Sequence, residues 1–131
     1  IARLFRLIFC IFVFCGLSLH SAEPVSRRVV RLEGYLGKEQ LQPLMAVLAD
    51  VEKQPVDVLL VEIDSSSGDL NEILSIAKEL HQLKTRKNLQ LIVYIEDNAV
   101  GPVAILPLLA DEIYTSSLVS WGDIPLGTDE A

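Results

Sequence analysis

Residues 56–80 read VDVLLVEIDSSSGDLNEILSIAKEL, and this stretch decides the fold. Val56 to Ile63 has a continuous apolar centre, the pattern of a strand covered on both faces. Asp64-Ser65-Ser66-Ser67-Gly68 is turn chemistry. Leu70, Ile73, Leu74, Ala77 and Leu80 then recur at helical spacing, which predicts one apolar helix face. Ser66 and Asp69 stand three apart at its start, in the manner of a capping box. Strand, turn and helix in that order form one unit of a parallel α/β sheet.

The neighbouring segments repeat the alternation. Upstream, Val29-Val30-Arg31-Leu32 is a short β-branched run ending at Gly34. A helix is predicted over Lys38 to Lys53, with Leu41, Leu44, Met45, Leu48 and Val51 on one face. Pro43 falls in its first two turns, where a missing N–H costs least. Downstream, Leu89 to Ile95 reads LQLIVYI, a second buried strand, and Glu96-Asp97-Asn98 is a polar bend. A third helix is predicted from Gly101-Pro102, with proline at the first helical position. Val103 to Ala110 is apolar all round, so this helix should be buried, with Pro107 kinking or ending it. Asp111 to Thr115 is a fourth short strand. The order β-α-β-α-β-α-β predicts an α/β fold with a parallel sheet and right-handed crossovers. There is no internal repeat and no low-complexity linker.

Composition agrees. The chain has 131 residues, long enough for one domain, and 50% of them are hydrophobic, too many for a disordered chain. Acids outnumber bases 18 to 11, a formal net charge of -7. From Glu23 onward there are 9 bases against 18 acids. Nucleic-acid binding rests on Lys and Arg neutralising phosphates, so a body this acidic is a poor partner for it. Composition also excludes collagen, coiled coil and disulfide scaffold.

The first 22 residues read as an address and residues 23–131 as the domain. Arg3 and Arg6 precede Leu7 to Leu19, LIFCIFVFCGLSL, and His20-Ser21-Ala22 closes the run. That order is a secretory signal. Thirteen residues span about 20 Å as a helix, short of a ~30 Å hydrocarbon core. A retained membrane anchor, lengthened by Gly16 to Ala22, is the other reading. Either predicts export, to a periplasmic or membrane-anchored extracytoplasmic location. Cys10 and Cys15 both lie in this run, so cleavage would leave a domain without thiols.

Chemistry-bearing residues are sparse. His81 is the single histidine after residue 22 and lies at the edge of a helix stripe, where a plain boundary histidine suffices. No histidine follows it to serve as the base of a triad. Asp64 with Asp69, Glu96 with Asp97, and Asp111 with Glu112 are acidic neighbours without a histidine, and solvated turns explain them; no metal or other cofactor is expected. Neither GxGxxG nor GxxxxGK[ST] occurs. Lys84-Arg86-Lys87 follow a helix end, where the dipole favours cations. Two places are more specific. Backbone N–H groups of Asp64–Gly68, just before a helix, can face an anion or oxyanion, although an ordinary βα loop has the same composition. Gly101-Pro102 heads a buried helix at a strand end, where α/β folds place reactive groups.

These residues together resemble the Clp protease–crotonase superfamily, and within it the signal peptide peptidase A group and the NfeD-type membrane-bound serine proteases. The likeness covers about Val29 to Gly127. VDVLLVEIDSSSGDLNEILSIAKEL resembles the family's strand, D-S-P-G-G turn and helix. LQLIVYIEDNAVGPVAILPLLADEIYTS resembles its next strand, buried helix and A-A-D-x-I segment, and SWGDIPLG its G-S-I-G turn. The resemblance implies a Clp–crotonase type parallel sheet and a peptide-binding, oxyanion-stabilising turn at Ser65, Ser66, Ser67 and Gly68, with Pro102 beside it.

It also implies what is missing. In these peptidases the nucleophilic serine lies ten residues before the A-A-D aspartate; with Asp111 in that place, the position is Gly101. Ser67 replaces a turn glycine, and Asp123 the G-S-I-G serine. The family's catalytic lysine comes several tens of residues later, and this chain stops at Ala131, so a fragment of a longer domain is one expectation. The function expected is a serine-protease homologue without an intact catalytic residue. Its partners would be a peptide or membrane-protein segment and copies of itself or a related subunit. An active serine endopeptidase using another serine, or completed by residues outside this chain, is the alternative. A crotonase-type acyl-CoA enzyme, using the Gly101 N–H, is more remote.

Overall fold

The computed structural model describes residues 25–124. The signal or anchor expected over 1–22, with both cysteines, and the 125–127 end of the SWGDIPLG segment lie outside the described residues. The elements run β1 (Arg27–Leu36), α1 (Gln42–Lys53), β2 (Val58–Gly68), α2 (Leu70–Lys87), β3 (Gln90–Val100), a 3-10 helix (Gly101–Leu109), β4 (Glu112–Thr115) and β5 (Ser120–Gly122). All strand pairs are parallel. The sheet order is β1-β2-β3-β4, and β5 joins the far end of β3. The α/β fold and parallel sheet read from the sequence are therefore present.

The helices cover one face of this sheet. In β2, Leu59, Val61, Ile63 and Ser65 are buried, while Leu60, Glu62 and Asp64 between them are half-buried. In β3, Leu91, Val93 and Ile95 are buried, while Ile92, Tyr94 and Glu96 are not. The expectation of a strand covered on both faces is thus corrected. Strands in sequential order, joined by crossovers of one hand, stack every connection on the same side. The open face carries Arg31, whose guanidinium meets Glu33, Glu62 and Glu96; hydrogen bonds to Glu96 and then Glu33 hold its pKa above the ordinary range.

Three element boundaries move outward. β2 continues through Asp64–Gly68, expected as a turn, because β1 continues past Gly34 and pairs Tyr35 with Ser67 and Leu36 with Gly68. Gly34, at φ +74, takes up the irregularity between Glu33 and Tyr35. β3 likewise runs through the expected bend at Glu96-Asp97-Asn98, because β5 pairs with Asn98–Val100. The sequence reading missed β5; three residues carry no detectable period.

The helices follow local chemistry. Helix α1 starts at Gln42 rather than Lys38, with Pro43 in its first turn. It buries Leu44, Leu48 and Val51, whereas Met45 is exposed. Helix α2 is capped by Asp69, whose carboxylate accepts from the Glu72 N–H at 3.1 Å; Ser66, expected in a capping box, lies in β2. It ends at Asn88, which adopts the left-handed conformation at φ +53. The expected third helix is 3-10 and is not buried all round, since Leu108 is 62% exposed. Pro107, inside the segment, supplies no N–H, which weakens an α-helical ladder.

Candidate functional site

Three segments meet at the C-terminal ends of β2 and β3. β2 delivers Ser65–Gly68, the 3-10 helix begins at Gly101-Pro102, and β5 brings Gly122 beside Val100. Each arrives by a different route, and the local sequence explains each.

Ser65 is the single buried polar residue among those described. Its hydroxyl lies 2.7 Å from the Gly34 carbonyl oxygen and 2.9 Å from that of Ser67. One proton is shared between two acceptors, which ties the irregular end of β1 to β2. Ser66 and Ser67 are exposed. Gly68 is forced by packing, because a Cβ there would lie 2.8 Å from Ile73 Cδ1 and 3.0 Å from the Leu36 carbonyl oxygen. The Asp69 N–H donates to Leu36 O at 3.0 Å. Peptide groups alternate along a strand, so Ser67 and Asp69 face β1, while those of Ser66 and Gly68 turn the other way. That direction is toward Gly101: a Cβ there would have Ser66 O at 3.5 Å as its nearest neighbour.

Gly101 sits at φ +80, a backbone conformation that favours glycine. It and Pro102 are half-buried. There is space for a side chain at 101, but the backbone strains any L-residue placed in it. The β5 segment is locked from the other side by Trp121, whose indole N–H donates to Ala104 O at 3.1 Å. Beyond it the chain turns through Gly122 at φ +134 and Asp123 at φ +59.

His81 is exposed on α2, twelve residues from the Asp69 cap and so about 18 Å along the helix from this end. Among the described residues no group of His, Cys, Asp and Glu is placed to hold a metal, and no helix is long and apolar enough to cross a membrane. The arrangement offers the Ser66 carbonyl oxygen beside a helix start, exposed Ser66 and Ser67 on the strand next to it, and no hydroxyl at the helix start. An attack from position 101 has no nucleophile.

No protein-family model matches the sequence, and no curated protein matches it. The fold is similar to that of a solved structure, the 1510-N membrane-bound stomatin-specific protease, a lysine-to-alanine mutant in complex with a substrate peptide, with a TM-score of 0.62 at 14% identity. The match covers 83% of this chain and 50% of that one, so the chain spans about half the length of the protease it matches. The chain has a protease-like α/β fold.

Proposed function

We propose that this chain is an exported or membrane-anchored peptide-binding domain of serine-protease-like fold that lacks the nucleophile. The observation that supports it best is Gly101. It stands at a φ suited to glycine, where the resemblance puts the catalytic serine, and it lies beside the Ser66 carbonyl oxygen. The similar structure carries a substrate peptide and is membrane-bound, which agrees with this reading and with the leader of residues 1–22. In the domain, an extended peptide lies beside Ser66–Gly68 with its backbone paired to outward-facing peptide groups, as in strand addition. The acidic body favours uncharged or basic peptides.

The test is incubation of the purified protein with a fluorophosphonate probe and a peptide library, read by mass spectrometry. The reading expects no labelled serine and no cleaved peptide, with peptides retained on the protein. A second reading rests on the exposure of Ser66 and Ser67 in the same turn. A probe adduct on either would make the domain an active peptidase with a displaced nucleophile, and would overturn the first.

A further inference from the structure

Charge is divided between the two ends of the sheet. The strands are parallel, so the first residues of β1, β2 and β3 and the last turns of α1 and α2 share one end. Six of the nine basic residues after Glu23 lie there: Arg27, Arg28, Lys53, Lys84, Arg86 and Lys87, with the acids Glu52, Asp57, Asp111 and Glu112. At the opposite end, which holds the candidate site, Lys38 is set against Glu39, Asp69, Glu72, Asp97 and Asp123. Lys84 and Arg86 are engaged by Asp111 and Glu52. Among the described residues Arg27, Arg28, Lys53 and Lys87 have no carboxylate partner, and Arg27, Lys53 and Lys87 are exposed. Lys53 and Lys87 line one shallow depression with Gln54, Pro55 and Asp57.

We propose that this basic end docks on an anionic lipid surface and holds the candidate peptide site at the far end, turned away from the bilayer. The inference rests on the membrane-anchored form of the reading above. The chain enters the domain at this same end. Five residues separate the apolar run that stops at Leu19 from Val25, which is 52% exposed and two residues from Arg27. A link of that length reaches about 20 Å when fully extended, so a retained anchor keeps this end beside the lipid headgroups.

Screening decides which charges count. The domain as a whole is acidic, and an anionic surface would repel its total charge. β2 has 11 residues, so the two ends stand about 30 Å apart, whereas charge is screened over about 8–10 Å. Only the end next to the lipid feels its field. The C-termini of α1 and α2 each add about half a negative charge there, which the excess of two bases over acids outweighs. The near end is left positive, and the same surface repels the acidic end. Ser66 and Gly101 then stand about 30 Å from the headgroups, open to peptides arriving from solution.

The experiment uses the full chain with Cys10→Ser and Cys15→Ser, on vesicles of phosphatidylcholine alone or with about 30% phosphatidylglycerol. A fluorophore on Pro55→Cys reports the basic end and one on Ser67→Cys the other, both positions being exposed. Lipids with a nitroxide headgroup quench whichever fluorophore touches the surface. Phosphatidylglycerol should raise the quenching at position 55 at least twofold and leave position 67 unchanged. The rise should vanish in about 1 M salt, where screening shortens to about 3 Å. It should also vanish in the triple variant Arg27→Gln, Lys53→Gln, Lys87→Gln, with the circular dichroism unchanged. No rise at 55, an equal rise at 67, or a rise that survives salt would overturn the proposal and leave these cations as partners of the helix C-termini. Release of the chain from neutral vesicles would contradict the anchor instead, and quenching on the anionic vesicles still tests the basic end.

Discussion

Asp111 and Leu91 are joined at two points. The Asp111 N–H donates to the Leu91 carbonyl at 2.8 Å, and the Leu91 N–H donates to Asp111 Oδ2 at 2.7 Å. Lys84, mostly buried on α2, holds the same carboxylate at 3.1 Å and also donates to Leu109 O. The aspartate that ends the 3-10 helix thus fixes the start of β4 against β3 and α2. From sequence alone it read as a solvated turn carboxylate.

Replacing Asp111 by Ala removes a charge-assisted bond and leaves the Leu91 N–H without its carboxylate. The side chain is 44% exposed, so water moderates the loss. We expect about 1 kcal/mol of destabilisation, read as a lower urea midpoint at unchanged slope.

The same contact predicts a pH dependence. The Leu91 N–H, helped by Lys84, holds the Asp111 pKa below its ordinary value. Its contribution is then complete above the unfolded-state pKa of about 4 and fades as pH falls through the lower folded value. The stability difference between the parent and Asp111→Asn should be constant from pH 7 to 5 and shrink toward pH 3. Thermal melts at matched ionic strength measure it. A difference that grows on acidification would contradict the assignment.

Leu59 and Leu60 are adjacent in one apolar run, but only Leu59 points under the helices. Leu59 is fully buried, and Leu60 is half-buried on the open face. Leu59→Asp should abolish the cooperative transition, because it buries an unpaired carboxylate. Leu60→Asp should leave a folded domain with a lowered midpoint. Circular dichroism melts of the two variants compare them directly.

The Leu59–Leu60 contrast also marks how far the sequence is legible. The apolar runs Leu59–Ile63 and Leu91–Ile95 and the Ile73–Ala77–Leu80 stripe specify strands and helix locally. Nothing local says that one face of the strands stays open, because a mixed run such as VLLVEI reads the same for one covered face or two. The extensions through Asp64–Gly68 and Glu96–Asn98 are polar, and become strands only because Tyr35–Leu36 and Ser120–Gly122 arrive as partners. At the candidate site, Gly101 and the Ser65–Gly68 segment were legible as positions. The engagement of the Ser65 hydroxyl with Gly34 was not, since it depends on the irregularity in β1.

At Gly68 and Gly101 substitutions should act for different reasons. Gly68→Val drives Cβ into Ile73 and the Leu36 carbonyl and should cost about 1–3 kcal/mol. Gly101→Ala meets nothing closer than Ser66 O at 3.5 Å, but forces an L-residue to φ +80, at about 1–2 kcal/mol. Gly101→Ser should show the same cost and gain no fluorophosphonate labelling, since no base accompanies the hydroxyl. Denaturant melts read the first two, and the probe reads the third.

The central claim is that the space between Ser66–Gly68 and Gly101 receives an extended peptide. Its most direct measurement is a titration of isotope-labelled protein with uncharged and basic peptides, following each backbone amide by NMR. The account predicts saturable shifts at Ser66, Ser67, Gly68, Gly101 and Gly122, with peptide mass unchanged throughout. If no amide in these segments moves at millimolar peptide, or if the shifts saturate at residues elsewhere, the claim is contradicted.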